Sequence, residues 1–157
     1  MKILWAPWRM SYITKAFSEE CIFCKAVGGN DEDNYVILRS NHSLAMLNLF
    51  PYNTAHVMIA PVRHVARLEL LTQDEVLDMF SVFSKIVEAI DREYSPQGYN
   101  IGVNMGRVAG AGIESHVHVH VVPRWLGDTN FMPVVSGTKV MPETLSTTYS
   151  RLKRRLK

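Results

Sequence analysis

The stretch His116-Val117-His118-Val119-His120-Val121-Val122 carries the most information in the chain. Successive side chains of an extended strand point to opposite faces, so this alternation predicts three imidazoles on one face and valines on the other. The valine face can pack into a core, whereas the histidine face presents neutral nucleophiles and metal ligands side by side near pH 7. Half of the six histidines of the chain lie in this stretch, which indicates a chemical role.

The composition is that of an ordinary globular protein. The chain has 157 residues, with 47% hydrophobic and 20% charged residues, which is enough for one domain with a real core. We expect a single domain over 1–157, divided into an N-terminal arm (1–20), a core (21–125) and a C-terminal extension (126–157). The absence of a signal-peptide pattern and of any apolar run near ~20 residues predicts a cytoplasmic protein without a membrane partner.

The charge does not indicate nucleic acid as a partner. The net charge is +2, and the basic tail at 151–157 is the only basic run. A solvated helix end explains such a tail better than a nucleic-acid-binding arm does.

The only cysteines, Cys21 and Cys24, form a C-x-x-C motif. This spacing leaves a redox dithiol, a metal site and coincidence as alternatives. A thioredoxin-like dithiol would open a helix, whereas the residues that follow, 26–31, have the composition of a turn. A metal site is therefore favoured, provided that histidines elsewhere complete the ligand set.

The pattern of apolar residues and turn signals predicts an α+β fold, a mostly antiparallel five-stranded sheet with one long helix on a face. Strands are predicted at 35–39, 43–49, 56–60, 99–104 and 116–122. A long helix is predicted at 73–94, with a capping box at Thr72 and Glu75 and an end at 95–98. Its helically spaced apolar residues are Val76, Leu77, Phe80, Phe83, Ile86, Val87 and Ile90. A short helix is expected at 143–155.

A glycine-rich loop precedes the histidines. Gly106, Gly110 and Gly112 permit a tight turn and a close approach to an anion. Successive backbone N–H groups in such a loop can form an anion-binding nest, and its position just ahead of three imidazoles predicts a phosphate site.

The motif at 116–122 resembles that of the histidine-triad (HIT) superfamily of nucleotide hydrolases and transferases, His-φ-His-φ-His-φ-φ with φ apolar, which these residues match in full. The resemblance extends over about 21–125. The stretches 4–10 and 123–131 are similar to bacterial members grouped with diadenosine tetraphosphate phosphorylases, and also to fragile-histidine-triad hydrolases.

The resemblance implies roles for four histidines. His118, in the middle of the motif, would attack the α-phosphorus and carry a covalent nucleotidyl group that water or phosphate then removes. His120 would hydrogen-bond the phosphate oxygens. His116 completes the triad, and His56 matches a fourth family histidine that braces the triad. Without the resemblance, His56 would more readily be read as a structural histidine.

The resemblance also implies substrate contacts. Asn48 would bind the ribose, although a strand-end asparagine can instead cap a turn. Phe23, Met46, Leu47 and Leu49 match base-pocket positions, although Phe23 and Met46 could simply be core. Asn104, Gly110 and Ser115 are candidate phosphate contacts, and Gly112 offers only a backbone N–H where many hydrolases carry a glutamine. Arg107 and Lys139 are weaker candidates for distal phosphates.

Some bacterial histidine-triad proteins bind zinc, and the corresponding residues here are Cys21, Cys24, His64 and His116. Two thiolates and two imidazoles suit a closed tetrahedral Zn²⁺ site, which is structural rather than catalytic. No metal in the chemistry follows, although Mg²⁺ could accompany the substrate phosphates.

The resemblance implies a homodimeric enzyme that cleaves a dinucleoside polyphosphate such as diadenosine tetraphosphate or triphosphate. Because the last triad residue is His120 rather than glutamine, the uridylyltransferase branch is disfavoured. A nucleoside phosphoramidase, a binding module with vestigial activity and a zinc-stabilised structural protein are the alternatives.

Overall fold

An antiparallel five-stranded sheet organises the part of the chain, residues 20–157, that the computed structural model describes. The strands are β1 (Val36–Arg39), β2 (Ser43–Leu47), β3 (Val57–Pro61), β4 (Gly98–Gly102) and β5 (Val119–Arg124). They lie in the order β1-β2-β3-β5-β4, and every neighbouring pair is antiparallel. The predicted α+β class is confirmed. The predicted N-terminal arm, with Trp5 and Trp8, lies almost wholly outside the described residues.

Among residues 20–157, four α-helices accompany this sheet: α1 (Ile22–Gly28), α2 (Gln73–Tyr94), α3 (Met132–Ser136) and α4 (Leu145–Arg155). Helix α2 has the predicted bounds because its capping box forms, with Thr72 accepting from the Glu75 N–H and the Glu75 carboxylate accepting from the Thr72 N–H. Ser95 ends the helix in the left-handed conformation. None of the helices within 20–157 is both long and apolar enough to cross a membrane.

The two faces of the sheet are covered by different helices. On one face, Ala45, Leu47, Val57, Ile59 and Val121 pack with Val82, Ile86 and Ile90 of α2. On the other face, Phe23 and Ala26 of α1 pack with Leu44, Met46 and Met58. Because side chains alternate along a strand, the residues beside Val121 face the α1 side of the sheet.

The apolar residues of α2 are only partly buried. Ile86 and Ile90 are in the core, but Val76, Leu77 and Phe80 remain 50%, 69% and 66% exposed. The helix instead buries Met79, Val82 and Ala89 against the sheet. An apolar strip is therefore left on the outer side of α2, which we call the α2 strip (Val76, Leu77 and Phe80).

Helix α1 corrects the prediction of a turn at 26–31. The chain is helical directly after Cys21, and Gly29 follows the end of the helix. The sequence carries no signal for the start of this helix, because cysteine is not a preferred capping residue. In the structure, Cys21 occupies the capping position and makes no side-chain cap hydrogen bond. Burial of Phe23 and Ala26 against the sheet stabilises it instead.

Helix α4 holds the basic tail against the body of the protein. It packs on α2 and β1. The Lys153 ammonium donates to the Asp31 carboxylate at 2.8 Å and to the Val36 carbonyl of β1 at 3.0 Å. Arg151 and Arg155 pair with Glu93 at the end of α2, each at 2.6 Å. The tail is a helix end, as predicted, but its cations are largely engaged in ion pairs rather than free in solvent.

Candidate active site

The triad stretch enters the sheet later than predicted. Strand β5 begins at Val119, so His116, Val117 and His118 precede it. The Val117 N–H donates at 2.7 Å to the carbonyl of Val65, which lies in the loop after β3, outside the regular ladder. Val117 and Val121 are nevertheless buried, as the alternation predicts.

The histidine rings form a continuous row on the α1 side of the sheet. The ring of Phe23, which is fully buried, lies 5.0 Å from that of His116 and 4.8 Å from that of His118. The His120 ring lies 4.8 Å from that of His118 and 5.1 Å from that of His56 on the neighbouring β3 side. The structure thus brings together the four histidines that the sequence analysis singled out as catalytic.

The hydrogen bond of His118 assigns the state of its two ring nitrogens. Nδ1 lies 2.9 Å from the His116 carbonyl. A carbonyl oxygen can only accept, so Nδ1 must carry the proton and donate. The lone pair of the neutral ring is therefore on Nε2, which is the nitrogen available for nucleophilic attack.

A second chain of hydrogen bonds assigns His56 and His120. The Tyr52 backbone N–H donates to His56 Nδ1 at 3.1 Å, so the His56 proton is on Nε2. His56 Nε2 then donates to His120 Nδ1, 2.9 Å away. The His120 proton is consequently on its own Nε2, where it can donate to an anionic oxygen.

Burial keeps these imidazoles neutral. It lowers the pKa of His56 to about 3, with a further contribution from neighbouring His120 and His118. It lowers the pKa of His120 to about 4, and also lowers the pKa values of His118 and His116. A neutral imidazole keeps the lone pair that a nucleophile or a metal ligand requires.

Cys21, Cys24, His64 and His116 form a cluster whose ligand atoms all lie within 4.8 Å of one another. His116 Nδ1 is 3.3 Å from Cys21 Sγ and 3.7 Å from Cys24 Sγ, and Cys24 Sγ is 3.1 Å from His64 Nδ1. A tetrahedral Zn²⁺ with bonds of about 2.0–2.3 Å places its ligand atoms roughly 3.3–3.8 Å apart. The donor set and its spacing fit such an ion.

The remaining nitrogen of His116 orients its ring for this role. His116 Nε2 donates to the Pro61 carbonyl at 2.8 Å, which leaves the Nδ1 lone pair facing the cysteines. Metal-bound histidines commonly use their second nitrogen in this way. Pro61 ends β3, so the sheet itself fixes the ring.

The glycine loop differs from the predicted nest. Its first part is a tight turn in which Ala109 and Gly110 donate to the Gly106 and Arg107 carbonyls, with Gly106 and Gly110 at positive φ. Those N–H groups are engaged and cannot bind an anion. Within 20–157, the backbone N–H groups of Gly112 and Ser115 donate to no carbonyl, so the available donors lie nearer to the triad than the sequence suggested.

The residues predicted to contact substrate differ in their exposure and in the face of the sheet that they occupy. Asn48 follows β2, and its side-chain oxygen accepts from the Phe50 N–H at 2.9 Å, as a turn cap does. Met46 is buried beside Phe23, whereas Leu49 is 38% exposed. Leu47 packs under α2 on the opposite face, so it cannot line a pocket beside the imidazoles. Asn104 is half-buried next to Gly110, and Ser115 is exposed.

Residues beyond those predicted from the sequence also support the site. Tyr52 places its ring 4.6 Å from that of His56, in addition to its backbone hydrogen bond. Asn53 donates to the Pro123 carbonyl at 3.1 Å and to Asp128 at 2.8 Å, and Asp128 also pairs with Arg124 at 2.6 Å. The turn composition of 51–54 was visible in the sequence, but these partners lie 70 or more positions away along the chain.

Comparisons with known proteins agree with this geometry. The HIT domain family model matches residues 30–125. A protein of Mycobacterium tuberculosis named AP-4-A phosphorylase is 38% identical over 154 residues, covering 92% of this chain and 79% of that protein. The bis(5'-nucleosyl)-tetraphosphatase [asymmetrical] of Schizosaccharomyces pombe is 39% identical over 93 residues, or 59% of this chain and 50% of that protein.

A solved structure shares the architecture. The crystal structure of a Zn-bound histidine triad family protein from Mycobacterium smegmatis superimposes with a TM-score of 0.68 at 26% identity, covering 87% of this chain and 93% of that one. The family-model match spans more than half of the chain and coincides with the sheet that carries the four histidines. This chain belongs to the HIT domain family.

Proposed function

We propose that this chain cleaves dinucleoside polyphosphates, such as diadenosine tetraphosphate or triphosphate, at the α-phosphorus through a covalent nucleotidyl-histidine on His118. The observation that carries the proposal is the assignment of His118 Nε2 as a free lone pair on a ring held by the His116 carbonyl. The likeness to the AP-4-A phosphorylase over 92% of this chain supports the choice of substrate.

The reaction has two displacements. In the first, His118 Nε2 forms a P–N bond with the α-phosphorus, and the bond from that phosphorus to the bridging oxygen breaks, releasing the distal nucleotide. In the second, an acceptor oxygen forms a new P–O bond while the P–N bond breaks, and the acceptor loses its proton. His120 Nε2–H donates to phosphate oxygens as charge develops on them, and the His56 hydrogen bond holds His120 in the donor form.

The substrate contacts in this proposal follow from position. Met46 of β2 packs with buried Phe23, and Asn48 and Leu49 follow directly after this strand; these four residues are proposed to contact the nucleoside. Gly112 and Ser115 supply backbone N–H groups to the phosphates, and Asn104 and Gly110 lie beside them. Leu47 is excluded because it faces α2.

The metal of the Cys21, Cys24, His64 and His116 cluster is proposed to be zinc. The donor set is that of a closed structural site, and a related structure is described as Zn-bound. When bound, the ion would supply no chemistry to the phosphorus but would fix His116, whose carbonyl orients His118. Magnesium with the substrate phosphates stays a prediction, as does the division into arm, core and extension.

A homodimer and a cytoplasmic location complete the proposal. The α2 strip is an apolar surface of the kind that a second copy covers. Zinc binding requires Cys21 and Cys24 to be reduced rather than joined in a disulfide, which suits a reducing compartment. We expect Leu77→Glu to convert a dimer into a monomer in analytical ultracentrifugation, with Lys85→Glu on the same helix as the control. A monomeric wild type would refute the dimer.

Incubation of the full chain with diadenosine tetraphosphate, with and without orthophosphate, tests the reaction. The relative named AP-4-A phosphorylase favours orthophosphate as the acceptor, so ADP and ATP are expected only when it is present. AMP and ATP without orthophosphate would identify a hydrolase. Cleavage of an adenosine phosphoramidate alone would identify a phosphoramidase, and nucleotide binding without any cleavage would identify a binding module.

A further inference from the structure

A cavity of about 300 Å³ lies beyond His120 and takes no part in the steps described above. It is lined by Tyr52, Asn53, Asn100, Val122, Arg124 and Lys139. This volume is at the lower end of the range for small-molecule pockets, about 300–1,000 Å³. The cavity is therefore large enough for part of a dinucleotide but not for the whole of it.

The cavity lies on the same face of the sheet as the histidines. His120, Val122 and Arg124 alternate along β5 with Val121, which is packed under α2 on the other face. Asn100 of β4 pairs with Val122, and its side-chain oxygen accepts from Arg124 Nη1 at 2.6 Å. The strand places Val122 four residues beyond His118, or about 13 Å at 3.3 Å per residue.

Tyr52 connects the cavity with the catalytic histidines. Its ring centroid lies 5.8 Å from that of His120 and 4.6 Å from that of His56, and it also lines the cavity. A ligand that leaves the phosphorus at His118 and follows the row past His120 therefore enters this space without crossing another element of the sheet.

The charge of the cavity comes from Lys139. Arg124 is already paired with Asp128, with its Nε and Nη2 donating at 2.6 and 3.1 Å, so the two charges offset each other. The Lys139 ammonium donates to the backbone carbonyl of Asp128 at 2.8 Å, which holds it in place without neutralising it. An ammonium has three donors, and this hydrogen bond uses one of them.

We infer that this cavity binds the distal part of the substrate, with Lys139 donating to the distal phosphates of the leaving nucleotide. The inference rests on the proposed function and extends it, because it assigns the leaving-group side of the site and a residue that selects for polyphosphate. An anionic chain that begins at His118 and runs past His120 leads towards the cavity that Lys139 lines, whereas a substrate without distal phosphates offers this ammonium no acceptor.

The test compares two substrates that share the adenylate and differ in the leaving group, diadenosine tetraphosphate and adenosine 5'-phosphoramidate. Lys139→Met should lower kcat/KM for the tetraphosphate about tenfold, the effect of losing one charge-assisted hydrogen bond. It should change kcat/KM for the phosphoramidate by less than about twofold. Lys139→Arg should restore most of the loss, and Lys85→Met, which removes an equal charge from α2, should change neither substrate.

Equal losses on both substrates would overturn the inference, because they would show that Lys139 only supports the local structure. Unchanged values on both would overturn it as well. A wild type that cleaves neither substrate would refute the proposed function instead. The cavity would then be tested by equilibrium binding. Lys139→Met should weaken the binding of diadenosine tetraphosphate about tenfold and leave the binding of AMP unchanged. If the variant and the wild type bound the tetraphosphate equally well, the inference would be refuted.

Discussion

His116 and His118 are two residues apart, touch the same Phe23 ring, and are held by opposite nitrogens. His116 donates through Nε2 to the Pro61 carbonyl and turns Nδ1 towards two cysteines. His118 donates through Nδ1 to the backbone and leaves Nε2 free. A backbone carbonyl thus selects the tautomer of each ring, leaving Nδ1 of His116 for the proposed metal and Nε2 of His118 for the proposed attack on phosphorus.

In both histidines a backbone acceptor determines which ring nitrogen remains available. Neither Pro61 nor His116 contributes its side chain to this selection, only its carbonyl oxygen. A change of the His118 side chain should therefore leave the metal cluster intact, whereas loss of the metal should affect His118 only indirectly, through His116 and its carbonyl.

The largest effect is expected for His118→Gly, which should remove turnover without affecting the metal cluster. Turnover of diadenosine tetraphosphate should fall on the order of 10⁴-fold, because the only proposed covalent route is removed, while nucleotide binding and zinc content persist. Product analysis, nucleotide titration and metal analysis measure the three quantities. His42→Gly, at an exposed turn histidine, is the matched control. Loss of zinc together with turnover would show that the two ends are not separable.

The converse experiment is Cys24→Ser. We expect zinc affinity to fall by more than about 100-fold, the upper end for changes outside the ligand sphere, and turnover to fall only roughly tenfold, through a less firmly held His116. Metal stoichiometry after dialysis and steady-state rates are the measurements. Wild type stripped with a chelator should reproduce the variant and recover on reloading. Full activity without zinc would refute the support assigned to the metal.

A smaller effect is expected in the pH dependence of stability of the zinc-loaded protein. Because the pKa of His56 is lowered to about 3 and that of His120 to about 4, the unfolded chain binds more protons than the folded one below about pH 6.5. The free energy of unfolding should therefore decrease as the pH falls from 6.5 towards 4, by up to about 1.4 kcal/mol per pH unit for each group.

His56→Gln sharpens this prediction, because glutamine keeps an N–H donor for His120 but does not titrate. Denaturant unfolding at several pH values should show a slope that is smaller by roughly one proton between pH 6.5 and 4. An unchanged slope would mean that the pKa of His56 is not lowered in the folded protein.

The sequence allowed the main features of the site to be predicted because they are periodic or local. Alternation at 116–122 predicted the shared face of His118 and His120, and the capping box predicted the start of α2. The family resemblance predicted that Cys21, Cys24 and His64 lie next to His116. They are 52 to 95 residues away from it along the chain.

Other features depend on tertiary contacts that no local pattern encodes. The His116 tautomer depends on a carbonyl 55 residues away. Helix α1 forms where turn residues were expected, because burial of Phe23 outweighs weak local signals. Leu47 was assigned to the base pocket along with Met46, but neighbours in a strand face opposite ways. The α2 strip is also apolar by sequence yet exposed, because the helix packs on the sheet through Met79, Val82, Ile86, Ala89 and Ile90 instead.

Helix α4 has a consequence for how copies of this chain can add to one another. Its Lys153 donates to the Val36 carbonyl of β1, which protects this edge strand from pairing with another chain. Strand β4 is the opposite edge of the sheet. If two copies paired edge to edge through β4, each would occupy the edge that Lys153 does not cover within residues 20–157, so growth would stop at a closed pair instead of continuing into a fibre.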